Sequence, residues 1–313
     1  MPSASPFNPA SGLAQPIAHL FLVLGIVMMA IFLLVTVLVL YASFRYRQRP
    51  GAVEPRQEFG SKGLEVAWTI APLILLVYIF TITVHAMRGA DPGISTDRQP
   101  DMVIVGHQWW WEARYMASHI VAANEIHIPV GKLLLVRLES ADVIHDWWVP
   151  QLGRKMDAIP GHPNLFWLEA DVPGTYLGTC SEYCGAEHAW MRILVVAQPE
   201  VDFLQWTKRQ LDVPPAPSAD NDAALGAQLF LQQLTCANCH AITGTSAKGT
   251  IGPDLTHFAG RQTLAAGRLE NSPANLSEWL SNPQAVKPGV HMPNFELTSG
   301  QVGQLTAYLE TLK

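Results

Sequence analysis

Apolar residues are unevenly spread along this chain and crowd its first third. From Leu20 to Phe44 run 25 residues with no Lys, Arg, Asp or Glu. Wound as a helix, that run would be ~38 Å long, more than the ~30 Å hydrocarbon core of a bilayer. A second uncharged run, Val66 to Met87, is long enough for another crossing. Pro72 lies inside it, where a spanning helix kinks rather than breaks. A cleaved signal peptide is the competing reading of the first run. That run is too long for one, no basic segment precedes it, and a second span follows. The connection carries Arg45, Arg47, Arg49, Arg56 and Lys62, whereas residues 1–16 carry no Lys or Arg. Such an excess marks the cytoplasmic side. Loop 45–63 is therefore expected in the cytoplasm, with residues 1–16 and everything after Met87 on the opposite, periplasmic face.

The pattern then changes period. Met102–Val105, Glu125–Ile128, Leu133–Val136, Leu165–Leu168 and Ile193–Val196 are short β-prone runs punctuated by Gly, Pro, Asn and Asp, as in a sandwich or barrel. A helix is expected over Pro199 to Leu211, followed by the Pro-rich, semi-rigid stretch Val213–Ser218. Beyond it, Ala223–Leu234, Ser277–Leu280 and Ser299–Leu312 read as helices among Gly- and Pro-rich loops.

Composition narrows the class. Of 313 residues, 49% are hydrophobic and 15% charged, against roughly 25% charged in an average soluble chain. These values exclude a disordered chain, and a net charge of −6 leaves no basic footprint for nucleic acid. Four cysteines are too few for a disulfide scaffold, and they stand as two pairs, Cys180/Cys184 and Cys236/Cys239.

Cys236-Ala237-Asn238-Cys239-His240 is a C-x-x-C-H motif. Two thiols at this spacing can form thioethers with the vinyl groups of one haem, and the adjacent His240 then falls under the iron. A redox pair or half a zinc site fits less well, since neither a βαβ pattern nor a second C-x-x-C accompanies it. Met292 is the only methionine after Met191 and is the candidate sixth ligand, with His257 and His291 as rivals. His/Met ligation suits electron transfer. With Gly226 and Phe230 in its first helix, Tyr308 in its last and the loop Ile251-Gly252-Pro253-Asp254-Leu255, this segment resembles a class I cytochrome c.

The segment Cys180 to Met191 holds two cysteines, His188 and a methionine within twelve residues, and soft ligands of this kind select copper. A zinc site completed by His145 is the alternative, but zinc has no use for the thioether. Cys184, His188, Met191 and His145 already meet the recipe of a mononuclear copper site. Cys180 is left over, and as a second, bridging thiolate it would let the site hold two coppers.

This motif, with His145 in Asp142-Val143-Ile144-His145-Asp146-Trp147, resembles subunit II of haem-copper cytochrome c oxidases. Spans, copper domain and C-terminal cytochrome c together resemble the caa-type bacterial oxidases. The resemblance implies a binuclear copper centre bridged by Cys180 and Cys184. Its terminal ligands would be His145 and His188, with Met191 and the Glu182 carbonyl as weak ligands. The Glu182 side chain would reach a magnesium shared with the catalytic subunit. Gly106-His107-Gln108-Trp109-Trp110-Trp111 matches the family's aromatic segment, in which Trp109 receives electrons. Glu65 would stand at the entrance of a proton channel in the catalytic subunit; an interfacial carboxylate is the plainer reading. Arg192, where relatives carry proline, and Gly161-His162-Pro163, where they carry a basic Gly-Arg pair, depart from the pattern.

The resemblance implies this organisation: N-terminal segment 1–16, transmembrane hairpin 17–88, all-β cupredoxin-like dicopper domain 89–211, linker 212–221 and all-α cytochrome c domain 222–313. The expected role is electron transfer from a donor, through haem c and copper, to a partner that reduces dioxygen to water with proton pumping. Partners would be the oxidase subunits I and III, a cytochrome c or other periplasmic donor, and the lipid of a bacterial inner membrane. Rival readings are the electron-receiving subunit of a copper-containing nitric oxide reductase and a metal-free quinol oxidase subunit. The four clustered ligands speak against the second. His19 and His85 read as interfacial residues, and His107, His119, His127 and His162 as surface or core residues rather than ligands.

Overall fold

A computed structural model describes residues 5–51, 53–54, 59–95, 97–218 and 221–313. Arg56 of the basic connection, residues 1–4 and linker residues 219–220 lie outside the described residues. The chain forms two compact units, Gln15–Pro92 and the remainder.

The first unit is a helical hairpin, α1 (Gln15–Arg45) and α2 (Lys62–Ala90). Both are apolar on every side, the pattern of a helix solvated by lipid rather than packed in a core. Each extends a few residues beyond its uncharged run, and the helical assignment of α2 passes unbroken through Pro72. Gly89 stands against Pro16, and a Cβ there would lie 3.0 Å from the proline ring, so the two outer ends of the hairpin meet.

The second unit opens with a β-sandwich. Its strands are β1 (Met102–His107), β2 (Trp110–Tyr115), β3 (Val121–Ala123), β4 (Glu125–Pro129), β5 (Leu134–Ser140), β6 (His145–Trp148), β7 (Met156–Ala158), β8 (Asn164–Leu168), β9 (Gly174–Cys180) and β10 (Arg192–Gln198). One sheet has the order β3-β2-β1-β5-β8, the other β4-β10-β9-β6-β7. Inward residues such as Ile104, Trp111, Leu138, Trp147 and Ile193 form the core between them. All five expected runs fall on strands, the third beginning one residue later, at Leu134. β2, β3, β6, β7 and β9 are additional. β7 is three residues long, and β9 carries two glycines that hide its β character. Gly178 in β9 is required by packing, because a Cβ would stand 2.6 Å from the Trp148 carbonyl. Residues before α1 also belong here: Ala10 N–H donates to Gln151 O, and the Ser11 hydroxyl to Leu152 O, both at 2.8 Å.

Helix α3 (Glu200–Leu211) follows and packs Trp206 against the sandwich. The helical part then contains α4 (Asp222–Gln228), α5 (Cys236–Cys239), the short hairpin β11 (Thr263–Leu264) and β12 (Leu269–Glu270), α6 (Pro273–Ser281), α7 (Pro283–Val286) and α8 (Ser299–Leu309). The helix expected over 223–234 is α-helical only to Gln228; Leu229–Gln233 winds as a π-turn, with Leu234 N–H donating to Leu229 O. This wider turn accompanies burial of both Leu229 and Phe230. The helix expected over 277–280 runs from Pro273, started by a Ser272 cap, and the last one ends at Leu309 rather than 312. Helices α4 and α8 cross at Gly226, where a Cβ would lie 2.0 Å from the Gln304 carbonyl oxygen. Phe230 meets Tyr308 edge-on across the same crossing.

Candidate metal centres

Strand pairing assembles the first centre. In the register of β6 with β9, Trp147 faces Cys180, which brings His145 on one strand beside the cysteine ending the other. The Cys180–Met191 loop then folds back over the same end of the sandwich. Cys180 Sγ lies 3.7 Å from Cys184 Sγ and 3.9 Å from His145 Nδ1. Cys184 Sγ lies 3.6 Å from His188 Nδ1 and 3.8 Å from Met191 Sδ. The Glu182 carbonyl is 3.2 Å from Cys180 Sγ, while the Glu182 side chain is exposed. Five side-chain donors and a carbonyl exceed the four that tetrahedral zinc uses. The sulfurs are too far apart for a disulfide and suitably spaced to share a metal through bonds of ~2.3 Å.

Electrostatics point the same way. The hydrogen bond with Cys184 pushes the Cys180 thiol down to about 3, and the same contact together with burial pushes Cys184 up. Two adjacent thiols cannot both ionise unless a cation lies between them. His145 is fully buried, yet its basicity is raised: burial lowers it, and hydrogen bonds with Asp142 and Cys180 outweigh that. Asp142 Oδ1 takes His145 Nε2 at 2.8 Å, fixing the ring with Nδ1 toward the sulfurs, as a supporting carboxylate does for a ligating histidine. Gly106 leaves room for that ring, since a Cβ would stand 2.8 Å from His145 Cδ2. Trp111, wholly buried, backs the imidazole edge-on at 5.8 Å.

The second centre is an apolar cavity lined by Cys236, Cys239, His240 and Met292. His240 Nδ1 donates to the Pro253 carbonyl at 2.8 Å, so Nε2 is the atom left for a ligand. Gly252 permits this approach, because a Cβ would fall 2.5 Å from the imidazole. Gln284 Nε2 holds the opposite loop through the carbonyls of Val290 and Met292, at 2.7 and 2.9 Å. Of the rivals, His257 has both ring nitrogens against backbone carbonyls, Lys313 O at 2.8 Å and Gln210 O at 3.0 Å. His291 is exposed and leans on the Trp109 ring at 5.1 Å. The apolar cavity, with the paired cysteines, His240 and Met292 in its lining, fits a covalently held haem.

The cavity does not end at the helical part. Gln108, Trp109 and Trp110 also line it. In the β1–β2 register His107 faces Trp110, leaving Gln108 and Trp109 as the hairpin tip. Trp109 is 6% exposed, and its indole N–H donates to the Cys184 carbonyl at 3.0 Å. Gln108 Nε2 donates to the same oxygen at 2.7 Å. Trp110 stacks on His107 at 4.2 Å. The three tryptophans thus divide into a bridging one, a flanking one and a core one.

Sequence reasoning passed over Asp142, Gln284 and Lys287. Asp142 had a signal, standing three residues before a ligand. The other two bond only main-chain groups, which leave no trace in residue types. Of the departures, Arg192 places its guanidinium over Trp190 at 5.6 Å, and its N–H donates to Ala266 O at 3.1 Å. His127 is bonded on both ring nitrogens, to Gln198 and Glu125.

Comparison with known proteins matches residues 5–85 to the transmembrane domain of cytochrome c oxidase subunit II, 116–198 to its periplasmic domain and 223–313 to cytochrome c. The segment with Trp109 precedes the periplasmic match. A cytochrome c oxidase subunit 2 from Alkalihalophilus pseudofirmus is 35% identical, over 93% of this chain and 86% of its own length. One from a Bacillus species is 33% identical, over 86% and 80%. The periplasmic domain of cytochrome oxidase subunit II from Bradyrhizobium japonicum, a solved structure, is 32% identical. It spans 36% of this chain and 95% of its own, with a TM-score of 0.34.

Proposed function

Since the chain belongs to the cytochrome c oxidase subunit II family and carries a cytochrome c domain, we propose a specific path and ligand set for its electron-transfer role in a terminal oxidase. Haem c and a binuclear copper centre supply reversible one-electron exchange. The work of the protein's own residues is to hold, insulate and align them. Cys236 and Cys239 would attach the haem, and His240 and Met292 would hold its iron. Cys180, Cys184, His145 and His188 would hold the copper pair, with Met191 and the Glu182 carbonyl as weaker donors. With both groups bound, Trp109 would stand on the route from the haem cavity to the copper cluster, and the catalytic subunit would be the acceptor.

One observation carries this reading: Trp109 lines the haem cavity and donates to the carbonyl of Cys184. A single indole therefore touches both centres. The expected boundaries, hairpin 17–88, copper domain 89–211, linker 212–221 and cytochrome domain 222–313, stand with this reading. So do the periplasmic side for both redox domains and the cytoplasmic side for loop 45–63. The packing of Ala10 and Ser11 on the sandwich supports that topology, because a two-span hairpin returns both flanks to one face. Glu182, exposed beside the cluster, is the proposed carboxylate to a magnesium shared with the catalytic subunit, and Glu65 the proposed start of a proton path there. The remaining proposed partners are subunit III and a periplasmic donor such as a cytochrome c.

The test is metal content and order of reduction in the purified complex. Two coppers of this chain per c-type iron, with haem reduced before copper when donor is limiting, is the expected result. Copper reduced first would overturn the path.

A further inference from the structure

Lys287, at the end of α7, is among the most deeply buried side chains of the molecule, 2% exposed. Lysine is almost never so buried unless its charge is met. Its Nζ donates to Trp109 O at 2.9 Å, to Trp190 O at 3.0 Å and to Ala265 O at 3.4 Å. The first two carbonyls belong to the copper domain and the third to the haem domain. Trp109 is the bridging indole, and Trp190 immediately precedes the ligand Met191. Lys287 also lines the haem cavity. Burial pushes its ammonium down to about 8, and the buried Glu187 carboxylate opposes that shift in part. Around this point the same seam carries Arg192 N–H to Ala266 O at 3.1 Å, Gln262 N–H to Glu125 Oε2 at 2.8 Å, and Arg268 over the Trp190 ring at 4.0 Å.

We propose that Lys287 is the positioning residue of the electron path: its three N–H bonds lock the haem domain onto the two copper-domain segments that carry Trp109 and Met191. Main-chain carbonyls suit this task, since each bond holds the backbone rather than a mobile side chain. Hydrogen bonds from a charged donor are stronger than those between neutral groups where buried. A tether alone would keep the haem domain nearby in many orientations; Lys287 selects one. The proposal rests on the reading of Trp109 as the bridge, and it is tested separately by the state of the seam itself.

The test compares the intact complex with Lys287→Met and Lys287→Gln. Hydrogen exchange reports the seam through the amides of Arg192 and Gln262, and flash reduction reports transfer from haem to copper. In Lys287→Met, both amides should exchange faster. Transfer should slow by roughly tenfold or more, as expected when reacting groups lose alignment. Copper and haem spectra, the haem potential and haem reduction by donor should be unchanged, which a fault in folding would not leave intact. Lys287→Gln keeps N–H donors on a shorter stem and should be intermediate. If Lys287→Met fails to assemble, Lys287→Gln alone decides, with intermediate loss expected. Unaltered exchange and transfer would overturn the proposal, as would a shifted haem spectrum or potential. Unaltered exchange overturns the lock whatever Trp109 does, whereas normal transfer in Trp109→Phe overturns only the bridge.

Discussion

The indole N–H of Trp109 donates to the main-chain carbonyl of Cys184 at 3.0 Å, while the same side chain forms part of the wall of the haem cavity. An aromatic ring is thereby hydrogen-bonded to the backbone of a proposed copper ligand and lines the cavity proposed for haem. Gln108 shares that carbonyl, so the tip of the β1–β2 hairpin is held by two donors. Trp109→Phe keeps an aromatic ring and loses the N–H. It should slow transfer from haem to copper severalfold with both metal spectra intact, measured by flash reduction. An unchanged rate would return Trp109 to a packing role.

Nuclearity rests on Cys180. Cys180→Ser leaves one thiolate, two imidazoles and a thioether, the set of a mononuclear site. Copper should fall toward one per chain, and the near-infrared and electron-spin signature of a mixed-valence pair should vanish. Retention of two coupled coppers would remove Cys180 from the bridge.

Gly226 tests the crossing of α4 and α8. Alanine is normally the better helix former by ~1 kcal/mol. Here its Cβ would enter within 2.0 Å of the Gln304 backbone oxygen, which cannot swing aside as a side chain would. Gly226→Ala should therefore destabilise the haem domain by about 1–3 kcal/mol, the usual cost of overpacking. Thermal loss of the haem spectrum should come at lower temperature; an unchanged midpoint would mean that the helices part easily.

Glu65 sits in the first turn of α2. Carboxylates at membrane depth are costly and often functional. Glu65→Gln should slow oxygen turnover severalfold while leaving copper and haem spectra unchanged. Normal turnover would make it an interfacial carboxylate only.

Orientation is testable at Ser61, just before α2. A single cysteine placed there should resist an impermeant thiol reagent in intact cells and react after the cells are opened. Ready labelling in intact cells would reverse the topology.

Much of the chemistry was legible before any fold because it is local. C-x-x-C-H needs only neighbours, and Cys180, Cys184, His188 and Met191 lie within one loop. The spans were legible because lipid demands an apolar surface on every side of a helix. Strands β7 and β9 were not, one being too short for a pattern and the other carrying two glycines, of which Gly178 is demanded by the Trp148 carbonyl rather than by strand propensity.

The amino-acid sequence by itself determined the two spans, both ligand clusters and the candidate set of Met292, His257 and His291. Only the tertiary structure removed His257 from that set, by tying its ring nitrogens to the carbonyls of Gln210 and Lys313. It likewise set Trp109 in the cavity wall with its indole N–H on the Cys184 carbonyl, and it put Lys287 between Trp109 and Trp190. The physical reason is common to all of these. A metal ligand is specified by its own side-chain chemistry, which can be read residue by residue. A bond to a backbone carbonyl can be offered by any residue in the chain, so only the folded path decides which carbonyl a donor meets.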